Sequence, residues 1–257
     1  NNKFLSEGDI FKNTNFSNFL EMIIKYGSDF FYNGEGAEII NKIYLDGGYL
    51  DKNNLNGYEV IKRKPLKIKI GDYEIFTNSA PAYGGPLMIF LLKILKESKK
   101  LNANIIQLIK AMELTSMARN EVCKNSSNEM EINNCLKDKI LKKYLKLFNN
   151  NNFIGNTNKL SGFGSTTHLS VIDKDYNTVS ITTTNGEGSG IFIPEFGILM
   201  NNMLGEQDLN PFGFHQWITK RRLPTMLSPT IIFKNNKPLY AIGSGGSNRI
   251  RSAIIQV

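Results

Sequence analysis

The stretch Ser161-Gly162-Phe163-Gly164-Ser165-Thr166-Thr167-His168-Leu169-Ser170-Val171-Ile172-Asp173 divides the chain into two kinds of sequence. Before it, apolar residues recur with a helical period. Phe16, Phe19, Leu20, Ile23 and Ile24 follow i, i+3, i+4, i+7, i+8, and Gly27 can stop that helix. Ile39, Ile40, Ile43 and Tyr44 repeat the pattern up to Gly47-Gly48. Pro86 opens an apolar helix to about Lys96, and another is expected over residues 103–119. After Ser165 the period becomes that of strands. Residues 167–172 and 178–184 flank a polar turn, and residues 229–234 and 238–242 flank Asn235-Asn236-Lys237, so two hairpins are expected. A third hairpin lies earlier, where Leu66, Ile68 and Ile70 alternate with lysines and Gly71-Asp72 turns into residues 73–77. Helices, then hairpins, then a closing helix at Ile250, Ala253 and Ile254 predict a layered α+β architecture.

Residues 120–165 read as a polar tether with one amphipathic helix inside it, carried by Leu136, Ile140, Leu141, Tyr144 and Phe148. The polar stretch at 125–127 and the asparagine run at 149–152 mark it as a tether between two lobes, flexible near residues 149–164.

Composition narrows the function. The 257 residues carry 41% hydrophobic and 21% charged side chains, enough for a packed core. No apolar run approaches the roughly 20 residues that span a bilayer. The net charge of +8 raises the question of nucleic acid, but the lysines are scattered and the densest group (Lys137, Lys139, Lys142, Lys143, Lys146) suits a solvated helix face, so no nucleic-acid partner is expected. Cys123 and Cys135 show no C-x-x-C spacing and His168 and His215 no H-E-x-x-H pattern, which argues against zinc. The two cysteines are able to form one disulfide, and spacing alone does not decide it.

The chemistry-bearing residue is Thr166. A threonine hydroxyl is a weak nucleophile and needs a neighbouring base. If the chain is cut between Ser165 and Thr166, Thr166 gains an α-amine whose pKa is about 7.7–8.0, and that amine can take the hydroxyl proton. Locally this is weak, because Thr-Thr at a strand start is also plain β-propensity.

The order of the surrounding motifs carries more. T-T-H-L-S-V-I-D-K-D (166–175) is followed by T-T-T-N-G-E-G-S-G (182–190), G-I-L-M-N-N-M-L-G-E (197–206), R-R-L-P-T-M-L-S-P-T (221–230) and G-S-G-G-S-N-R-I (243–250). This series resembles the small subunit of gamma-glutamyltransferases (gamma-glutamyl transpeptidases), members of the N-terminal-nucleophile hydrolases. G-S-D-F-F-Y-N-G-E-G-A (27–37), D-G-G-Y-L-D-K-N-N-L (46–55) and N-S-A-P-A-Y-G-G-P (78–86) resemble large-subunit segments, so the likeness covers nearly the whole chain.

The resemblance implies a four-layer α-β-β-α sandwich. It implies a boundary in the precursor: residues 1–165 as the C-terminal part of a large subunit and 166–257 as a small subunit truncated at its end. Both ends of the chain suggest a fragment, and the family's α-carboxylate-binding arginine is expected to lie outside it. Thr166 matches the nucleophile and processing point, and Thr184 the threonine that bonds and tunes it. Asn185 falls near a substrate-contacting asparagine, in a segment one residue shorter than the family's. Glu206 stands where an aspartate binds the substrate's α-amine, which keeps the carboxylate an ammonium needs. Thr225 matches the first of two serines that grip the α-carboxylate. Gly246 and Ser247 match the pair whose backbone N–H groups form the oxyanion hole.

Two positions depart from the pattern. Met203 replaces a glutamine or glutamate aimed at the amine, and Met226 replaces the second serine; methionine does neither job well. Asn201 and Asn202 are expected to hold a turn. The loop at Gly243 lacks the G-K-[ST] ending of a phosphate-binding loop. His168 shares a strand face with Thr166, but the implied mechanism uses the α-amine as base, so a structural His168 is expected. Trp217 and His215 sit in an insertion-like loop without an assigned role.

The implied reaction is gamma-glutamyl transfer to an amine or peptide acceptor, or to water, through a threonyl acyl-enzyme, for example from glutathione. No cofactor and no metal are implied. The alternatives are an acylase of different acyl specificity and an uncleaved relative that acts as a binding protein.

Overall fold

The computed structural model of the chain describes residues 4–45, 50–123, 130–150, 166–210 and 213–257. Gly47-Gly48, the 125–127 stretch, and residues 151–165 of the expected tether with the Ser165 side of the processing point lie outside these residues. In chain order the elements are α1 (Thr14–Tyr26), α2 (Asp29–Tyr32), α3 (Glu35–Tyr44), α4 (Lys52–Asn56), β1 (Leu66–Ile70), β2 (Tyr73–Thr77), α5 (Gly84–Glu97), α6 (Ile105–Val122), α7 (Asp138–Asn149), β3 (Thr166–Ile172), β4 (Thr178–Thr184), β5 (Phe192–Ile193), β6 (Ile198–Leu199), β7 (Thr230–Lys234), β8 (Lys237–Ile242) and α8 (Ile250–Gln256). They form two compact units: Asn1–Lys62 with Ser189–Met200, and Arg63–Gly188 with Asn201–Val257.

The smaller unit is built on aromatics. Asn13 caps α1, its side chain accepting from the Phe16 N–H at 3.0 Å while its amide donates to the Gly197 carbonyl at 2.7 Å. One residue thus starts the helix and clips the β5–β6 turn to it. The α1 face delivers Phe19 to Phe196 with ring centroids 4.9 Å apart, and Phe31 meets Phe19 edge-on at 5.8 Å. Ala37, Ile40, Leu55 and Ile193 complete this core.

In the larger unit β1, β2, β7 and β8 form an antiparallel sheet in the order β1-β2-β7-β8. The Gly71-Asp72 turn sets Ile70 against Tyr73, and Asn235 and Asn236, both at positive φ, set Lys234 against Lys237. Helices α5, α6, α7 and α8 share one core with this sheet's Ile75 and Ile242. The largely apolar α5 is buried through Leu87, Met88, Phe90, Leu91 and Ile94, each side chain contributing about 1.5–3 kcal/mol of transfer free energy. A reciprocal cap fixes the start of α6: the Gln107 N–H bonds the Asn104 side chain at 2.9 Å, and the Gln107 side chain bonds the Asn104 N–H at 3.2 Å. The lysines of α7 (Lys139, Lys142, Lys143, Lys146) are exposed and its Leu141, Tyr144 and Phe148 buried, so that charge is a solvated face.

The β3–β4 hairpin packs against β7 and β8 as a second sheet. Ser180 ties the layers together, its hydroxyl donating to the Ile242 carbonyl at 3.0 Å and accepting from the Thr230 N–H at 3.2 Å. The class is α+β, with helix, sheet and second sheet as successive layers. The expected boundary at Thr166 is not a packing boundary, since the four-stranded sheet takes two strands from each side of it. Cys123 and Cys135 are free and buried; burial pushes their thiols up to about 11 and about 12.

Candidate functional site

Thr166 is the first residue of β3 and Thr184 the last of β4, and the antiparallel register puts them opposite one another. The Thr166 hydroxyl donates to the Thr184 hydroxyl at 3.2 Å. The Gly186 N–H donates to the same Thr184 oxygen at 3.1 Å. Thr184 is therefore held by the turn that follows it while it faces Thr166.

The register continues inward as polar pairs. His168 lies opposite Thr182, and Ser170 opposite Ser180. The His168 ring is held at both nitrogens, Nδ1 at 2.8 Å from the Thr182 hydroxyl and Nε2 at 2.8 Å from the Ser170 hydroxyl. Desolvation lowers its pKa from the usual 6.5, which keeps it neutral. Neither bond goes to Thr166.

The glycine-rich segment after β8 lies along β3. A Cβ at Gly243 would overlap the His168 ring, and one at Gly245 would overlap the Thr166 carbonyl oxygen. At Gly245, where the overlapped atom is backbone, only glycine permits this approach. Gly246 and Ser247 then both take left-handed conformations, at φ +112° and +52°. For Ser247 this costs about 1–2 kcal/mol, a local strain of the kind found at ligand-binding turns. The Arg249 N–H closes the turn on the Gly246 carbonyl at 3.0 Å and leads into α8.

Asn185 joins Thr184 to a further segment. Its carbonyl accepts from the Asn202 N–H at 2.8 Å, and Gly186 bridges to Asn202 in parallel. Asn201 and Asn202 hold this turn: the Asn201 side chain accepts from the Met203 N–H at 3.3 Å, and the Asn202 carbonyl from the Gly205 N–H at 3.2 Å. Glu206 at its end is buried, and its carbonyl accepts from the Asn210 side chain at 2.7 Å. Met203 is half-buried.

Thr225 is placed by the start of α5, its carbonyl accepting from the Tyr83 N–H at 2.8 Å and the Gly84 N–H at 3.3 Å. Met226 is buried in the helix–sheet core. Among the described residues, no group of three His, Cys, Asp or Glu side chains is arranged to hold a metal, and no helix is long and apolar enough to cross a membrane. His215 is exposed.

The gamma-glutamyltranspeptidase family model matches residues 1–257. The chain belongs to that family. It is 26% identical to the glutathione hydrolase proenzyme of Bacillus subtilis (strain 168) over an alignment of 286 residues, covering 100% of this chain and 49% of that protein. To the glutathione hydrolase proenzyme of Escherichia coli (strain K12) it is 29% identical, covering 98% of this chain and 48% of that protein. The chain spans about half the length of the curated relatives it matches. The cephalosporin acylase from Bacillus halodurans shares the fold, with a TM-score of 0.72 at 21% identity over 97% of this chain and 47% of that one.

Motif order identified the family, but it did not single out Ser180, which ties β4 to β7 and β8, or the close approach of Gly243 and Gly245 to β3. A pattern of small residues two apart, in register with polar residues two apart on β3, is the signal that was available for the glycines.

Proposed function

We propose that the protein of which this chain is part hydrolyses or transfers gamma-glutamyl groups, with Thr166 as nucleophile after cleavage of the Ser165–Thr166 bond. The observation that carries this reading is the Thr166–Thr184 hydroxyl pair, with Gly245 packed on the Thr166 carbonyl just before the left-handed Gly246 and Ser247. The α-amine freed by cleavage takes the Thr166 hydroxyl proton. The oxygen attacks the amide carbonyl, and the backbone N–H groups of Gly246 and Ser247 receive the developing oxyanion. Loss of one such donor typically costs about 10²–10³ in rate. The amine leaves with the proton, and water or an acceptor amine resolves the ester, so the kinetics are ping-pong.

Thr184 holds the Thr166 oxygen, Asn185 lines the approach, Glu206 pairs with the substrate ammonium, and Thr225 contributes a hydroxyl to its carboxylate. Residues 1–165 and 166–257 then belong to the two subunits of one precursor. No cofactor enters this scheme.

Met226 favours a second reading within the same chemistry. With its side chain in the core, Thr225 stands without the second hydroxyl expected beside it. An acyl group lacking a free α-carboxylate then fits as well, which makes the protein an acylase of altered specificity. Purified full-length protein settles both. Mass spectrometry should show a new N-terminus at Thr166, absent in Thr166→Ala, and gamma-glutamyl-p-nitroanilide should be turned over. Turnover of non-glutamyl amides alone selects the acylase, and an uncleaved, inert protein selects a binding role.

A further inference from the structure

The inner face of β3–β4 carries a chain of contacts that the proposed mechanism does not use. His168 and Thr166 lie two residues apart on β3, and Gly243 and Gly245 lie two apart on the segment leaving β8. The two pairs meet in antiparallel order, Gly243 on the His168 ring and Gly245 on the Thr166 carbonyl. A methyl group at Gly243 would lie less than 3.0 Å from three atoms of that ring. Swinging the ring aside breaks its bonds to the Thr182 and Ser170 hydroxyls. Just before this contact Ser180 anchors the Ile242 carbonyl at 3.0 Å. Just after it, Ser244 bonds the Gly245 carbonyl at 2.8 Å, and the left-handed pair Gly246 and Ser247 follows.

The geometry points to His168 as a positioning residue: its ring, clamped by Thr182 and Ser170, is the platform on which Gly243 rests and so sets the distance of the Gly245–Ser247 turn from Thr166. It acts through Gly243 and exchanges no proton with substrate. Displacement of such a turn by about 1 Å is enough to cost roughly 10²-fold in rate while leaving binding by Glu206 and Thr225 in place. The inference rests on the reading of Thr166 as nucleophile.

The test is a double-mutant cycle in the full-length protein, with kcat and KM measured on gamma-glutamyl-p-nitroanilide or on whichever acyl amide it turns over. Gly243→Ala alone should lower kcat by about 10-fold or more with KM little changed, because the methyl must push the turn off the ring. His168→Ala should also lower kcat. In the His168→Ala background the Gly243 methyl has room, so adding Gly243→Ala should cost less than about 2-fold. His168→Gln, whose amide can bond one of the two hydroxyls, should lose less than His168→Ala and serves if the alanine variant does not fold.

Equal Gly243→Ala effects in both backgrounds overturn the platform. A lower melting temperature in His168→Ala with unchanged kcat reduces His168 to packing and overturns the positioning role. If Thr166→Ala is inactive while the His168 variants keep the full kcat, only this inference fails. If Thr166→Ala keeps full turnover, the underlying reading fails, and the inference with it.

Discussion

The β7–β8 and β3–β4 hairpins are neighbours in the larger unit and follow opposite rules. β7–β8 belongs to the sheet whose Ile75 and Ile242 share the core with α5, α6, α7 and α8. β3–β4 turns its one imidazole and one row of hydroxyls toward β7 and β8, in the pairs Thr166–Thr184, His168–Thr182 and Ser170–Ser180, while Thr167 and Thr183 face outward. Four of its apolar residues point the other way: Leu169, Val171, Val179 and Ile181 are 56%, 47%, 44% and 50% exposed. A hairpin ordinarily faces its apolar side to its partner sheet. Here the partner-facing side is mostly polar, and its partly buried hydroxyls make bonds that offset desolvation. Within this chain, which spans about half the length of its relatives, one layer is organised by packing and the inner face of the next by hydrogen bonds, and the candidate nucleophile lies on that inner face.

This difference can be broken at either layer. The largest expected effect is on the packed side. Phe90 on α5 is fully buried, edge-on to Tyr144 at 5.8 Å, and Phe90→Ala should cost about 3–5 kcal/mol in chemical denaturation. On the hydrogen-bonded side, Gly245→Ala should leave stability less affected but lower turnover roughly 10²-fold, because the new methyl displaces the turn from Thr166. An intermediate effect is expected between the layers. Ser180→Ala removes the bonds to the Ile242 carbonyl and Thr230 N–H and should cost about 1–3 kcal/mol, read as a lower denaturation midpoint.

A smaller effect depends on pH. Desolvation lowers the His168 pKa in the fold, so the unfolded chain binds the proton more readily. Its contribution to stability is therefore complete above the unfolded pKa of about 6.5 and is lost as pH falls from there through the folded pKa. Melting temperatures should drop over this acid window, and the His168→Gln variant should show a shallower drop. The smallest effect is expected on the exposed face: Leu169→Ala should change stability by about 0.5 kcal/mol or less in this chain. A loss of several kcal/mol there would show that the outer face is packed after all, and would erase the contrast.

Much of this was legible in the residues. The period-two runs marked β3, β4, β7 and β8, and the helical period marked α1, α3 and α7, because periodicity is a local property of the chain. Pro86 marked α5, although the helix begins at Gly84, two residues earlier. The family was legible because several motifs occur in a fixed order. Two features were not. Alternation along β3 defines two faces without saying which one meets the partner sheet, and the usual preference would have turned Leu169 and Val171 inward. The motif at residues 221–230 aligns Met226 with a substrate-binding serine, whereas the side chain fills the helix–sheet core.

The sequence by itself determined the strands and helices, the α+β class, the family, and Thr166 and Thr184 as residues to watch. Only the tertiary structure decided that their hydroxyls stand 3.2 Å apart, that Gly243 and Gly245 lie against His168 and Thr166, and that the polar face of the hairpin is the inner one. The physical reason is range. Propensity and period act over a few neighbouring residues. The distance between Thr166 and Gly245 depends on how β3 and β8 pack, which is a contact between segments nearly eighty positions apart in the chain.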